Sequence, residues 1–537
     1  MSARVTTTEL AMPLPDGARL LTEVAVADDG ERHPVLLVRT PYGRGSQRWL
    51  HDPIALARDG WAVVLQDVRG RYGSEGTFEP MFQEAADGKA AVDWCAHQPW
   101  SSGAVAMTGG SYQGFTQWAA ALGRPKALRA IAPAITTASV GEGRLRQGGA
   151  FRVGMWALWG MAMAAGGTGG SRAAEKRAGK ALKRWRELVR YPTNVDAISL
   201  VVPQFREWLE AAGRELAQPR PAELARIEVA GYHLGGWYDP YCEGTIAGYT
   251  ALAHGARSEQ VRRSQRLVVG PWSHMPRFVS FVGEVDFGPH ANADAHGVTR
   301  EQLAFLRDAV EGRDVKDGVS IFVMGRDRWL ELDTWPPPTT ELPLFLTADA
   351  PSNGARGGGG LSASPAESSG TDRFRHDPSD PVPTRGGRSL FGDLPPPGPV
   401  DQRPVEARED VLVYTGEPLR KDVTAIGTVR AQLRFASSAA RADVTVKLVD
   451  VHADGRALNV VDSVRRVELT PGRAQSVEVV LGSTAMTFRK GHRIRIEIAS
   501  SNWPHVDCVE AAEQTVHWGG RSGSRLLLPL YDASAAR

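Results

Sequence analysis

Residues 109–114 read Gly-Gly-Ser-Tyr-Gln-Gly and follow, after Thr108, the apolar run Ala104-Val105-Ala106-Met107. A strand that ends in a glycine-flanked serine and runs straight into a helical pattern (Tyr112 to Leu122) must turn very tightly, and only glycine fits beside the serine there. Such a turn is a nucleophile elbow, which holds the hydroxyl above the sheet edge. It also aims the next backbone N–H, that of Tyr112, at any oxyanion formed on a carbonyl attacked by Ser111. The second glycine comes one residue later than in the commoner G-x-S-x-G, and Gly-Gly-Ser also occurs in ordinary loops. The position between strand and helix therefore carries the inference.

Serine is unreactive near neutral pH without a base and a group that orients the base. Where this elbow is used, the chain order is serine, acid, histidine, with the partners after later strands of the same sheet. The run Ile227 to His233 leads into Gly235-Gly236-Trp237-Tyr238-Asp239, a strand tip carrying a carboxylate. The run Arg266-Leu267-Val268-Val269-Gly270 leads into Pro271-Trp272-Ser273-His274, a strand tip carrying an imidazole. Ser111, Asp239 and His274 thus fall in the required order at three strand ends. Among 13 histidines, His233 is the main competitor, but it precedes the acid and lies within a strand pattern. His290 and His296 lack a third ligand at helical spacing, so they do not read as a metal site. Asp239 could instead cap the turn that follows it. Asp286 could serve as the acid, but it comes after the histidine and breaks the order.

With these residues in view, the chain resembles the cocaine esterase and X-prolyl dipeptidyl-peptidase group of α/β-hydrolases, the CocE/NonD hydrolases, with the bacterial esterase branch as the better match. The resemblance runs from about residue 15 to the C-terminus. It is carried by Arg39-Thr40-Pro41-Tyr42, Gln66-Asp67-Val68-Arg69-Gly70, Gly109 to Gly114, Gly236 to Asp239, Gly270 to His274 and Met324-Gly325. Asp380 to Thr384 and Lys447 to Val451 extend it through the last third. It implies that the Tyr42 hydroxyl completes the oxyanion hole beside the Tyr112 N–H. The residues agree, because Pro41-Tyr42-Gly43 turns off the buried-strand run Val35 to Val38 toward the same sheet edge. The alternative for Tyr42 is a packing aromatic at a strand tip. The resemblance also implies an acyl pocket lined by Tyr241, Leu390 and Phe391. Trp156 and Trp159 could contribute to that pocket or be plain core. Two segments depart from the family pattern, Arg441-Ala442-Asp443-Val444 and Asp507-Cys508-Val509. Both are expected to lie away from the chemistry and to affect domain interfaces.

At 537 residues the chain is too long for one core. The opening residues read as a hairpin around Asp16-Gly17. Residues 33–140 alternate apolar runs with helical patterns, the rhythm of a parallel sheet, with strands near 35–39, 61–66, 104–107 and 128–132. No strand pattern appears between 141 and 226. The rhythm resumes with strands at 228–233, 266–270 and 319–324 and a helix near 298–311. After Trp335-Pro336-Pro337-Pro338, short alternating runs dominate. The expected architecture is α/β: an α/β-hydrolase core (1–140 and 227–339) with an inserted helical cap (141–226), followed by a C-terminal all-β jelly-roll domain (340–537).

The net charge of +2 gives no field to attract nucleic acid or an anionic membrane. Basic residues from Arg172 to Arg190 recur at helical spacing and read as a solvated helix face. Val153 to Gly170 is uncharged for 18 residues but contains six glycines and is bracketed by Arg152 and Arg172, which reads as a half-buried segment of the insertion. Three widely spaced cysteines without a C-x-x-C fit reduced thiols in the cytoplasm. The N-terminal residues show no signal-peptide pattern. No metal and no cofactor are expected. The expected partner is a small-molecule ester or amide, with a homodimer left open, and neither nucleic acid nor a membrane.

The expected chemistry is acyl transfer in two steps through an acyl-enzyme on Ser111. His274 acts as base and Asp239 fixes the imidazole. Because the base must be neutral, activity is expected to fall on the acid side. An X-Pro dipeptidyl peptidase or an amide or β-lactam-type acylase would share this apparatus, as would an acyltransferase of secondary metabolism. A non-catalytic protein that binds carbohydrate through its jelly roll is the alternative from another class.

Overall fold

The computed structural model describes residues 4–47, 52–166, 172–183, 206–207, 219–274, 278–390, 396–520 and 522–532. Strands β1 (Val5–Pro13) and β2 (Arg19–Ala27) form the opening hairpin, with Gly17 at φ 91° in its turn. β3 (His33–Thr40), helix α1 (Pro53–Arg58), β4 (Ala62–Asp67), α2 (Glu84–Ala96), β5 (Ser101–Gly110), α3 (Tyr112–Leu122) and β6 (Leu128–Ala134) follow in βα alternation. β4 is buried along its whole length, as a strand covered on both faces must be.

Between β6 and β9 (Ala230–Tyr238) the chain leaves the sheet. The described part of this insertion holds a hairpin of β7 (Arg146–Gln147) and β8 (Ala150–Phe151), then α4 (Val153–Ala165) and α5 (Arg172–Lys183). The hairpin corrects the expectation that 141–226 carries no strand. Gly148 at φ 54° and Gly149 at φ 87° make its turn, and local apolar alternation is too short to signal two-residue strands. The first 13 residues of the uncharged stretch form α4, with Val153, Trp156, Met161 and Met163 buried, and 167–170 lie outside the described residues. Among the described residues no helix is long and apolar enough to cross a membrane. Arg172, Lys176, Arg177, Lys180 and Lys183 lie on the exposed side of α5. The rest of the basic run, including Trp185, lies outside the described residues.

The sheet then takes in β9, α6 (Cys242–Gly255), β10 (Gln265–Ser273), the small pair β11 (Phe281–Val282) and β12 (Val285–Asp286), α7 (Val298–Val310), β13 (Gly318–Val323) and β14 (Arg328–Leu332). Its order is β1-β2-β4-β3-β5-β6-β9-β10-β13-β14. All contacts from β4 to β13 are parallel, with antiparallel strands at both edges. Tyr42, Ser111, Asp239 and His274 therefore emerge from the same edge, past the C-terminal ends of β3, β5, β9 and β10, where open α/β sheets bind ligands.

The last third is an all-β jelly roll: β15 (Thr340–Ala348), β16 (Gly359–Ser362), β17 (Ser369–His376), β18 (Leu412–Gly416), β19 (Val423–Ser437), β20 (Arg441–Val451), β21 (Ala457–Glu468), β22 (Gln475–Phe488), β23 (Arg493–Ala499), β24 (Ala512–Gly519) and β25 (Arg525–Leu530). Its core continues without a break into the α/β sheet. Trp237, Tyr238, Phe322 and Met324 belong to the same apolar cluster as Val446, Leu448, Val479 and Ile496.

Two arginines fasten the parts together. Arg388 donates to the Trp237 carbonyl (2.9 Å), to Glu243 Oε1 (2.8 Å) and to the Ser483 carbonyl (2.6 Å), so the jelly roll grips the loop that carries Asp239. Arg466 makes a bidentate pair with buried Asp443 (2.7 Å to each oxygen) and a further bond to Asp507 Oδ1 (2.8 Å). Asp507 also accepts from the Phe151 N–H (2.8 Å) and so ties β8 to the jelly roll. Asp443 and Asp507 belong to the two segments that depart from the family pattern. Both segments thus bear on a junction between the insertion and the jelly roll. Cys508 packs against the same apolar cluster as Tyr42, Tyr112 and Trp159, because the Asp507 clamp draws this loop onto the insertion.

Arg466→Ala strands the buried Asp443 carboxylate and is expected to cost about 3–5 kcal/mol of stability, read as a lower urea midpoint. Arg466→Met combined with Asp443→Leu removes both charges and is expected to recover most of that loss.

Candidate active site

Ser111 adopts φ 58°, ψ −121°, outside the conformations that side chains ordinarily favour. Its neighbours make this possible. Gly109 has φ 130°, and a Cβ there would sit 2.6 Å from the Gln113 Cβ; a Cβ on Gly114 would sit 2.6 Å from Thr136 Cγ2. The late glycine of the hexapeptide is thus explained: the elbow helix packs against Thr136 at position 114, while Gln113 folds back over Gly109. Thr136 donates its hydroxyl to the Ser111 carbonyl (2.7 Å), fixing the turn from the β6 side.

His274 Nε2 lies 3.0 Å from Ser111 Oγ, and His274 Nδ1 lies 2.8 Å from Asp239 Oδ1. Asp239 is fully buried. Its other oxygen, Oδ2, has no donor, but the buried Arg152 guanidinium interacts with it electrostatically and donates to the neighbouring Pro240 carbonyl (3.1 Å). The three residues form a connected serine, imidazole and carboxylate relay. With Nδ1–H donated to the carboxylate, Nε2 is left to accept the serine proton.

Tyr42 is the fourth member. Its hydroxyl interacts with the Ser111 side chain and accepts the Trp159 indole N–H (3.4 Å). Burial raises its pKa, so it remains a neutral O–H donor. The turn that presents it is held by the Tyr42 N–H on Thr40 Oγ1 (3.1 Å) and by Arg71 Nε on the Pro41 carbonyl (2.8 Å). Arg71 also donates to the Met163 and Gly166 carbonyls (3.0 and 3.1 Å), joining the end of α4 to the same turn. Tyr112 begins α3, so its N–H is one of the free donors of a helix N-terminus. Its ring is fixed by its hydroxyl, which donates to Glu84 (2.9 Å) and accepts the Met81 N–H (2.8 Å). Burial raises the Glu84 pKa, while the Arg39 guanidinium opposes that shift.

Of the expected pocket residues, Tyr241 sets its ring edge-on to His274 (5.5 Å between centroids). Leu390 packs against the cluster that contains Tyr42, Tyr112 and Tyr241, and Phe391 lies outside the described residues. Trp159 stacks flat on Tyr112 (6.1 Å, 7°). Trp156 is buried, gives its indole N–H to the Arg144 carbonyl (3.0 Å) and meets Trp159 edge-on. It backs Trp159 as core of the insertion. The competitors sit elsewhere. His233 is buried between Trp118 and Tyr249 with Gln265 on its Nε2 (3.0 Å), Asp286 is exposed, and His296 stacks on Trp329. Sequence reasoning missed Glu84, Thr136, Arg71 and Arg144, which act across the fold and carry no local motif.

Among the described residues one group has metal-ligand spacing: Asp450, His452 and His492, in the jelly roll. Asp450 accepts from His492 Nδ1 (3.0 Å) and pairs with His452 Nε2 (3.3 Å), while Arg456 approaches His452 Nδ1 (3.5 Å). The trio satisfies itself by hydrogen bonds, with a cation already beside it.

The fold and this relay define a serine hydrolase on an α/β-hydrolase scaffold. Comparison with known proteins gives the family. The model of the X-Pro dipeptidyl-peptidase (S15) family matches residues 16–276, and that of the X-Pro dipeptidyl-peptidase C-terminal non-catalytic domain matches residues 313–521. Cocaine esterase of Rhodococcus sp. (strain MB1 Bresler) is 32% identical, covering 97% of both chains. An aminopeptidase from the marine sediment archaeon Thaumarchaeota archaeon shares the fold (TM-score 0.77, 23% identity, 98% of this chain and 96% of that one). An α-amino acid ester hydrolase does likewise (TM-score 0.76, 24% identity, 99% of this chain and 97% of that one). The chain belongs to the cocaine esterase (CocE/NonD) family of serine hydrolases, within the X-Pro dipeptidyl-peptidase group.

Two histidines outside the relay set an acid limit on the fold. Burial pulls His233 down to about 4, and burial with the Arg152 and Lys447 cations pulls His505 down to about 3. The unfolded chain binds protons at these groups near the ordinary value, so stability is full above ~6.5 and falls as pH drops toward the native values, by roughly 3 kcal/mol for His233. Urea melts from pH 8 to 5 are expected to show this loss. His505→Gln is expected to reduce proton uptake on unfolding near pH 5.5 by about one.

Proposed function

We propose that the substrate is a small-molecule carboxylic ester and that Ser111, His274, Asp239, Tyr42 and the Tyr112 N–H carry out the hydrolysis. The supporting observation is the continuous chain from Asp239 through His274 to Ser111, with the Tyr42 hydroxyl on the same serine. His274 takes the serine proton as Oγ attacks the carbonyl. The oxyanion is held by the Tyr42 O–H and the Tyr112 N–H, and His274 returns the proton to the leaving alcohol. Water, activated by the same imidazole, then releases the acid. The insertion (141–226) acts as a cap, with Trp159 and Tyr241 beside the acyl group and Leu390 supplied by the jelly roll.

A peptidase reading is less well supported, since a substrate ammonium needs a carboxylate to anchor it. Among the described residues, the carboxylates that contact the proposed site residues are already engaged: Asp239 with His274, and Glu84 with Arg39 and Tyr112. A cytoplasmic location is proposed from the thiols. All three cysteines are unpaired, and burial raises Cys508 to about 12.

Hydrolysis of 4-nitrophenyl esters from acetyl to decanoyl, plus benzoyl, tests the reading. A clear acyl-length optimum and its loss in Ser111→Ala are expected. Tyr42→Phe is expected to lower kcat by about 100- to 1,000-fold with little change in KM. Equal rates in wild type and Ser111→Ala would overturn the assignment.

A further inference from the structure

Against Tyr241, one of the expected acyl-pocket residues, lies a buried cation with no ion pair among the described residues. Arg144 is 2% exposed. Its guanidinium lies over the Phe115 ring (5.0 Å) and the Tyr241 ring (4.9 Å), and the same tyrosine meets His274 edge-on. Only Nη2 has protein acceptors, Thr136 Oγ1 (3.1 Å) and the Thr137 carbonyl (3.2 Å). Nε is buried without any acceptor, and Arg144 forms no ion pair among the described residues. Arginine stays cationic in an apolar setting, and an isolated buried charge is costly unless something pairs with it.

The surroundings add to the field. Arg152 approaches the Tyr241 ring (5.9 Å) and bonds only to the Gly143 and Pro240 carbonyls. Arg71, behind Tyr42, bonds to three carbonyls. Arg144 also acts electrostatically on the Tyr42 hydroxyl. Facing these cations are Asp239, held by His274, the Glu142 carboxylate, which acts on Arg152, and Glu84 on the far side of Tyr112. Among the described residues none of these carboxylates pairs with Arg144, whose guanidinium lies on an aromatic floor.

We infer that the site takes esters whose acyl portion ends in a carboxylate, the half-esters of dicarboxylic acids, and that Arg144 is the residue that binds this carboxylate. This rests on the serine-hydrolase reading above. A planar guanidinium with unused donors matches a carboxylate edge, and the anion would pair a charge that no described residue pairs. The aliphatic chain would lie on Tyr241 between Arg144 and the scissile carbonyl. A cationic acyl group, such as an amino acid with a free ammonium, would be repelled by the same arginine.

The test compares 4-nitrophenyl monoesters of dicarboxylic acids, from glutarate to suberate, with the same compounds capped as methyl esters. The reading is the ratio of kcat/KM for the charged over the capped substrate, in wild type, Arg144→Gln and Arg144→Lys. The wild-type ratio is expected to exceed one at the best chain length. It should fall at least ~10-fold in Arg144→Gln and be partly kept in Arg144→Lys. Because Arg144 also touches Thr136, both rates can change together, and the ratio is insensitive to that. Ser111-dependent hydrolysis with the same ratio in wild type and Arg144→Gln overturns this inference and leaves the esterase reading intact. If folded wild type cleaves neither substrate, the esterase reading fails, and calorimetry of monomethyl adipate with Ser111→Ala decides the inference. Binding weakened ~10-fold by adding Arg144→Gln would sustain it; unchanged or absent binding would end it.

Discussion

Everything at the active edge depends on the backbone of one residue, Ser111, held at φ 58°, ψ −121°. A side chain in that conformation persists only where the surroundings over-determine it. Here they do so from three directions: Gly109 yields space to Gln113, Gly114 lets α3 reach Thr136, and the Thr136 hydroxyl fixes the Ser111 carbonyl. The same turn opens the helix whose first N–H joins Tyr42 in facing the serine. The nucleophile and the N–H proposed as one oxyanion donor are therefore products of one local geometry.

The remaining groups are positioned by parts of the chain that cannot reach the site alone. The sheet supplies Tyr42, Asp239 and His274 at neighbouring strand ends. The insertion supplies Trp159, which bonds to Tyr42 and stacks on Tyr112. The jelly roll holds the acid loop through Arg388 and the insertion through Asp507. In this arrangement the all-β domain acts as a wall that fixes the distance between acid loop and insertion. Buried arginines recur at these junctions because one guanidinium can satisfy several carbonyls and carboxylates from different segments at once.

Legibility in the sequence followed the range of the interactions. The succession of strands along the chain, the elbow and the strand-tip placement of Asp239 and His274 are local features, so periodicity and turn chemistry reveal them. Tyr42 was readable through its Pro-Tyr-Gly turn and the family likeness. The two-residue strands of the β7–β8 hairpin left no period to detect. Glu84, Thr136 and Arg71 act across 25 or more residues of sequence, and nothing in their neighbourhoods distinguishes them from surface charge or loop hydroxyls. Arg144 is the clearest case. In Gly-Glu-Gly-Arg-Leu-Arg it reads as solvated, and only the packed structure shows it enclosed by Phe115 and Tyr241. Trp156 and Trp159 share one apolar helix, and tertiary packing alone separates the one beside Tyr42 from the one behind it.

The central claim is that Ser111 is the activated nucleophile of this relay. Labelling with a fluorophosphonate, followed by peptide mass spectrometry, tests it most directly, because phosphonylation requires a serine whose proton can be taken. The account predicts a single adduct, on the peptide containing Ser111, that forms much more slowly in His274→Ala. An adduct on another residue, or labelling of Ser111 at an unchanged rate without His274, would contradict it.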